Sequence, residues 1–110
     1  GIRQLIWLIR SLNIGTVNKS PEIIIISPCV VIDGIGPWKD EFVGAEDKSQ
    51  ALAVHYNNIC QMEKCHFLDA NHFCKSSAVD GIHLDSENQV ILGKKVAELV
   101  KHIFRPASHM

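Results

Sequence analysis

The sequence lacks any long apolar run. Its longest strongly apolar stretch, Ile23 to Ile26, is far too short to cross a bilayer, where about 20 such residues are needed. It also lacks charge of one sign. Eleven basic and twelve acidic residues leave a net charge of -1, so no basic surplus recommends nucleic acid and no acidic tract recommends disorder. No signal-peptide pattern is present at its start, and the expectation is a soluble, cytoplasmic protein with no membrane span. Apolar residues make up 46%, ordinary for a globular chain, and 110 residues allow one domain at the small end of the usual range.

What is there begins with helical spacing at Ile2, Leu5, Ile6, Ile9 and Leu12. A polar connection from Asn13 to Pro21 follows and holds a glycosylation-type triplet, Asn18-Lys19-Ser20. Glu22 to Pro28 carries a continuous β-branched run, which predicts an interior parallel strand buried on both faces. Residues 29–46 are broken by Gly34, Gly36, Pro37 and Gly44 into a long loop, and such a loop after a parallel strand is more often functional than idle. Asp47-Lys48-Ser49-Gln50 predicts the cap of a second helix running to about Lys64, with Leu52, Tyr56, Ile59 and Cys60 inward.

Cys65 to Asp69 reads as a short strand and residues 70–79 as a loop. Ser86-Glu87-Asn88-Gln89 predicts a capping box for a last helix from Glu87 to about Phe104, with Leu92, Val96, Leu99, Val100 and Ile103 on one stripe. The alternation of helix and strand gives an α/β layer architecture with a parallel sheet. Two strands make an incomplete sheet, and the sequence reads as the C-terminal half of something larger.

Cys29, Cys60, Cys65 and Cys74 fit no compact zinc finger or knuckle. Cys60, Cys65, His66, His72 and Cys74 offer enough ligand types for a metal, but free thiols are the stronger reading and no metal is assigned.

The chemistry concentrates in Asp80-Gly81-Ile82-His83-Leu84-Asp85. A general-base imidazole needs one tautomer, with the Nδ1 proton toward a carboxylate and Nε2 free to take a proton from a hydroxyl. Residues i and i+3 of a turn can approach, and Gly81 permits backbone angles a side chain forbids, so Asp80 can orient His83. The bare spacing is weak, because Asp69-Ala70-Asn71-His72 repeats it. The internal glycine, the Leu84 anchor and the helix start behind favour the first copy.

These residues resemble the last motif of the SGNH hydrolases, also called the GDSL esterase/lipase family. Ile23 to Pro28 is similar to the family's fourth strand, Phe42 to Tyr56 to the helix before its fifth, and Phe67-Leu68-Asp69-Ala70 to the end of the fifth. Asp80 to Asp85 with Val90 to Val100 resembles its final motif and helix. The likeness covers nearly all of residues 2–104, closest to the arylesterase and small acyl-esterase branch, and only the last motif is specific.

The resemblance implies a flavodoxin-like three-layer α/β/α sandwich and serine-nucleophile hydrolysis of esters or thioesters, with no cofactor. It makes Asp80 the acid and His83 the base of a Ser-His-Asp triad. Trp38 and Phe42 are candidates for the acyl or alcohol pocket, with a packing role for Trp38 as the equal alternative.

The family's Gly-Asp-Ser nucleophile segment, oxyanion glycine and Gly-x-Asn-Asp segment have no counterpart in these 110 residues. The serines form no nucleophile elbow; Ser11, Ser76 and Ser77 read as ordinary polar residues, and Cys29 is a remote nucleophile candidate. The expected partner is therefore the N-terminal half of the same fold, as a separate chain or in a homo-oligomer, acting on a small acyl ester. The rival is a non-catalytic α/β interaction module. Residues 1–106 are read as part of a single domain, and Ala107-Ser108-His109-Met110 as a vector-derived tail.

Overall fold

The computed structural model describes residues 1–15 and 20–105, so the glycosylation-type triplet and the tail lie largely or wholly outside the described residues. Its elements are α1 (Ile2–Ser11), β1 (Ile24–Ser27), α2 (Ala45–Glu63), β2 (His66–Asp69), a 3₁₀ turn (Ala70–His72) and α3 (Ser86–Ile103). The fold is α/β. β1 and β2 pair in parallel from Ile24 opposite His66 to Ser27 opposite Asp69, and α2 makes the crossover that parallel strands require. Both strands end at the same edge, and the loops after them carry Trp38 on one side and Asp80 on the other.

α1 and α2 lie over one face of this pair. Ile6, Ile25, Ile59 and Cys60 are buried together there, with Tyr56 and Phe67 packed against them. Glu63 fixes α1 across the end of α2, accepting from the Arg3 guanidinium at 2.8 Å and from the Trp7 indole N–H at 2.8 Å. A second buried group, Cys29, Ala70 and Cys74, lies beyond the strand ends beneath Leu84, Ile91 and Leu92.

The expectation that β1 is buried on both faces fails. Ile25 and Ser27 are buried, but Ile26 is 38% exposed, because no element among the described residues fully covers its face. The stripe expected to bury α3 is likewise only partly covered, with Val100 38% exposed, and α3 has no buried residue. Among the described residues, no helix is long and apolar enough to cross a membrane.

Two helix starts differ from the sequence expectation. α2 begins at Ala45 behind Gly44, which sits at φ 82°, instead of at an Asp47 cap. Its free N–H groups are met from the long loop: Asp33 Oδ1 accepts from the Glu46 N–H at 3.2 Å, and Glu46 Oε1 accepts from the Asp33 N–H at 3.2 Å. This is a capping box closed across thirteen positions of chain, and it anchors the loop that holds Trp38.

α3 is capped by Asp85, whose Oδ1 accepts from the Asn88 N–H at 2.8 Å, and not by Ser86. A carboxylate at this end also meets the positive pole of the helix, which a hydroxyl one position later does not. Asp85→Ala is therefore expected to lower stability by about 1 kcal/mol. Ser86→Ala is expected to change it by a few tenths at most, and paired urea unfolding curves separate the two.

Candidate active site

Asp80 and His83 meet through a turn in which both oxygens of the carboxylate are engaged. One oxygen, Oδ1, accepts the backbone N–H of Ile82 at 2.9 Å and that of His83 at 3.0 Å. The other, Oδ2, lies 2.6 Å from His83 Nδ1. The first two bonds fix the turn and the third fixes the ring. Asp80 is largely covered, at 13% side-chain exposure, while the imidazole is 68% exposed. With Nδ1 committed to Asp80, Nε2 has no hydrogen-bond partner among the described residues and faces outward, free to accept a proton.

This arrangement holds the Asp80 carboxyl down at about 2, against an ordinary 3.8. The largest cause is the Ile82 N–H, followed by the His83 ring and the His83 N–H. Each favours the charged form, so the group is depressed and its contribution to the turn is fully present above 3.8. That contribution is lost only as pH falls through about 2. At neutral pH Asp80 is a fixed anion, the state a ring-orienting carboxylate needs.

The turn is held from both sides. Gly81 donates to the Ser77 carbonyl at 2.7 Å, Ser77 donates to the His83 carbonyl at 2.7 Å, and Ile32 of the long loop donates to the Gly81 carbonyl at 2.9 Å. Contact between the loops is close enough to require glycine at two places. A Cβ on Gly81, at φ 72°, would stand 2.4 Å from the Ile32 carbonyl oxygen, and one on Gly36, at φ 82°, would stand 2.6 Å from Asp80 Cα.

Docking of the long loop brings Trp38 to His83, with ring centroids 6.1 Å apart and planes tilted by 60°. Trp38, Phe42, Ile82 and His83 line one shallow cavity of about 330 Å³. Trp38 and Phe42 remain substantially exposed there. Ile82 is a lining residue that the sequence reading passed over. Its only signal was its place between Asp80 and His83.

The second Asp-x-x-His is built differently. Asp69 Oδ1 accepts from the Ser27 hydroxyl at 3.2 Å and from the Asn71 N–H at 3.0 Å, which caps the 3₁₀ turn. His72 approaches Oδ2 through Nε2 at the longer distance of 3.4 Å. The same spacing yields an ordered, outward-facing Nε2 at one site and a cap with a peripheral histidine at the other.

The remaining candidates have structural partners. Ser11 donates to the Leu8 carbonyl and Ser76 to the Val30 carbonyl, and Ser77 Oγ accepts from Val79. Cys29 is turned to Cys74, with the sulfurs 2.9 Å apart, and burial followed by the Cys74 contact pushes its thiol up to about 12. It is thus neither paired with His83 nor ionised at neutral pH, as a nucleophile must be. The metal candidates are dispersed: Cys60, on α2, is buried with Ile6 and Ile25, and Cys74 lies in the other buried group. No three His, Cys, Asp or Glu side chains among the described residues gather as a metal set.

No protein-family model matches this sequence. Comparison with curated proteins also gives no match. Solved structures do match. An aryl esterase from M. smegmatis superposes with a TM-score of 0.80 at 29% identity, over 92% of this chain and 48% of the other. Est24, a carbohydrate acetylesterase from Sinorhizobium meliloti, gives 0.82 at 25% identity, over 94% and 49%. A further carbohydrate acetylesterase family member from the same organism gives 0.82 at 28%, over 92% and 48%. The chain thus has an esterase-like α/β fold and spans about half the length of the esterases whose structures it matches.

Proposed function

We propose that this chain contributes the acid and base of a Ser-His-Asp triad to an SGNH-type carboxylic ester hydrolase, and that the serine and the oxyanion hole come from polypeptide outside these 110 residues. The observation that carries this reading is the 2.6 Å contact of Asp80 Oδ2 with His83 Nδ1, which leaves Nε2 outward beside an apolar cavity. Structural likeness to esterases over half of their length supports it independently.

In this mechanism Nε2 of His83 takes the proton of the serine hydroxyl as its oxygen attacks the ester carbonyl. The imidazolium formed is stabilised by Asp80, which stays ionised throughout, and returns the proton to the leaving alcohol as the acyl-enzyme forms. Water repeats the sequence and releases the acid. Trp38, Phe42 and Ile82 give the cavity an apolar wall of modest depth, suited to a small acyl or aryl group and not to a long chain. The aryl and acetyl esters named for the matched structures are the substrate classes to try first.

The test is reaction of the protein, isolated with everything bound to it, with a serine-directed fluorophosphonate, followed by intact-mass measurement of each polypeptide. A single labelled serine outside these residues, unlabelled when His83 is replaced by alanine, supports the proposal. Failure to label, or label that persists unchanged without His83, overturns it in favour of a non-catalytic interaction module.

A further inference from the structure

The two loops that form the site are joined at their roots by a pair of thiols. Cys29 is the second residue after β1, where the long loop departs, and Cys74 follows the 3₁₀ turn at the start of the segment leading to Asp80. Their sulfurs lie 2.9 Å apart although the residues are 45 positions apart. Both side chains are buried, at 7% and 2% exposure, in one small apolar group. Cys74 Sγ also lies 3.1 Å from the Ala70 carbonyl, which holds that sulfur in place.

The remaining cysteines are placed otherwise. Cys60 Sγ points to the His66 carbonyl at 3.7 Å, and Cys65 Sγ lies 3.6 Å from an Arg10 guanidinium nitrogen.

We infer that Cys29 and Cys74 are a disulfide-forming pair, oxidised by a small disulfide such as oxidised glutathione, whose bond would staple the Trp38 loop to the Asp80 segment. A disulfide bond is about 2 Å long, so the sulfurs need close by only roughly 1 Å. The step is thiol–disulfide exchange. One cysteine, as its thiolate, attacks the oxidant and releases one thiol; the second cysteine then attacks the mixed disulfide and releases another. The protein loses two protons and two electrons, and the oxidant is reduced to two thiols.

Burial makes the first step slow, because little thiolate is present. It also shields the finished bond from reductant. The inference concerns the fold alone and stands or falls separately from ester hydrolysis.

Selectivity makes the test sharp. In an unfolded chain the five-residue interval between Cys60 and Cys65 closes far more readily than the interval between Cys29 and Cys74, so random oxidation favours the former. The protein is incubated with oxidised glutathione, free thiols are blocked with iodoacetamide, and linked peptides are mapped by mass spectrometry.

The expected result is loss of two hydrogens, a dominant Cys29–Cys74 linked peptide, and alkylated Cys60 and Cys65. Thermal unfolding should shift upward by about 10 °C and return with dithiothreitol, while Cys74→Ser shows no such shift. A dominant Cys60–Cys65 link, four alkylated cysteines, or stable mixed disulfides with glutathione at Cys29 and Cys74 would overturn the assignment. Mapping is read on the wild-type chain, so the outcome does not depend on whether Cys74→Ser folds.

Discussion

In the proposed ester hydrolase, replacing His83 by alanine is expected to lower kcat/KM for a small aryl or acetyl ester by about 10⁶-fold, the scale of loss when a triad base is removed. Asp80→Asn should cost about 10⁴-fold, because the amide can still accept the two backbone N–H groups but cannot hold the ring with a charge. The paired control is His72→Ala, which removes a histidine of identical spacing from an aspartate and should leave the rate within about twofold. That contrast matters because His72 reaches Asp69 only at 3.4 Å through Nε2 and stands outside the cavity-lining set. Since Asp80 keeps its charge down to about 2, protonation of this carboxylate should not shape the rate profile above that pH. A loss of under tenfold in His83→Ala, or an equal loss in His72→Ala, would remove the basis for the proposed chemistry.

Local rules made part of this molecule legible in advance. The Asp80–His83 contact is an i,i+3 relation inside one turn, so the residue types, the glycine between them and the spacing were enough to expect it. The three helices followed from their apolar spacing, and β1 from its β-branched run, for the same reason. What escaped the sequence reading depends on chain far away. The start of α2 is set by Asp33 from the preceding loop, and a search for a local cap stops at Asp47 instead. Cys29 and Cys74 are adjacent only because β1 and β2 end side by side. Ile26 belongs to a run that reads as fully buried, yet burial is a property of what stands opposite, and here its face is left partly open. Among neighbouring acceptors, Asp85 and Ser86 were separated by charge at a helix end, a difference of about one kcal/mol that residue pattern alone does not resolve.

The interlocking of the two loops should be the most sensitive mechanical point of the site. Gly81→Ala is expected to destabilise the fold by about 2–4 kcal/mol, from left-handed backbone strain and a steric clash acting together. Its Cβ would meet the Ile32 carbonyl oxygen at 2.4 Å and two further Ile32 and Ile35 atoms at 3.1 Å, and the 2.9 Å bond from the Ile32 N–H to the Gly81 carbonyl cannot survive the retreat. Gly34 supplies the reference: it has a comparable φ of 81° but open space around the Cβ position, so Gly34→Ala should show the strain without the clash. Strain of that kind costs about 1 kcal/mol. Gly93→Ala, in open space within α3, should instead stabilise by up to about 1 kcal/mol. Gly36→Ala differs in what it displaces, because its Cβ would press on Asp80 Cα at 2.6 Å and on the Val79 carbonyl at 2.9 Å. A shift of about 1 Å in a catalytic group lowers rate by about a hundredfold, so Gly36→Ala should cost activity beyond its cost in stability. Chemical denaturation of the four variants, with esterase rates measured well below each unfolding midpoint, separates these effects. If Gly81→Ala proves no less stable than Gly34→Ala, the two loops do not clasp one another at Ile32, and the placement of Trp38 beside His83 loses its mechanical cause.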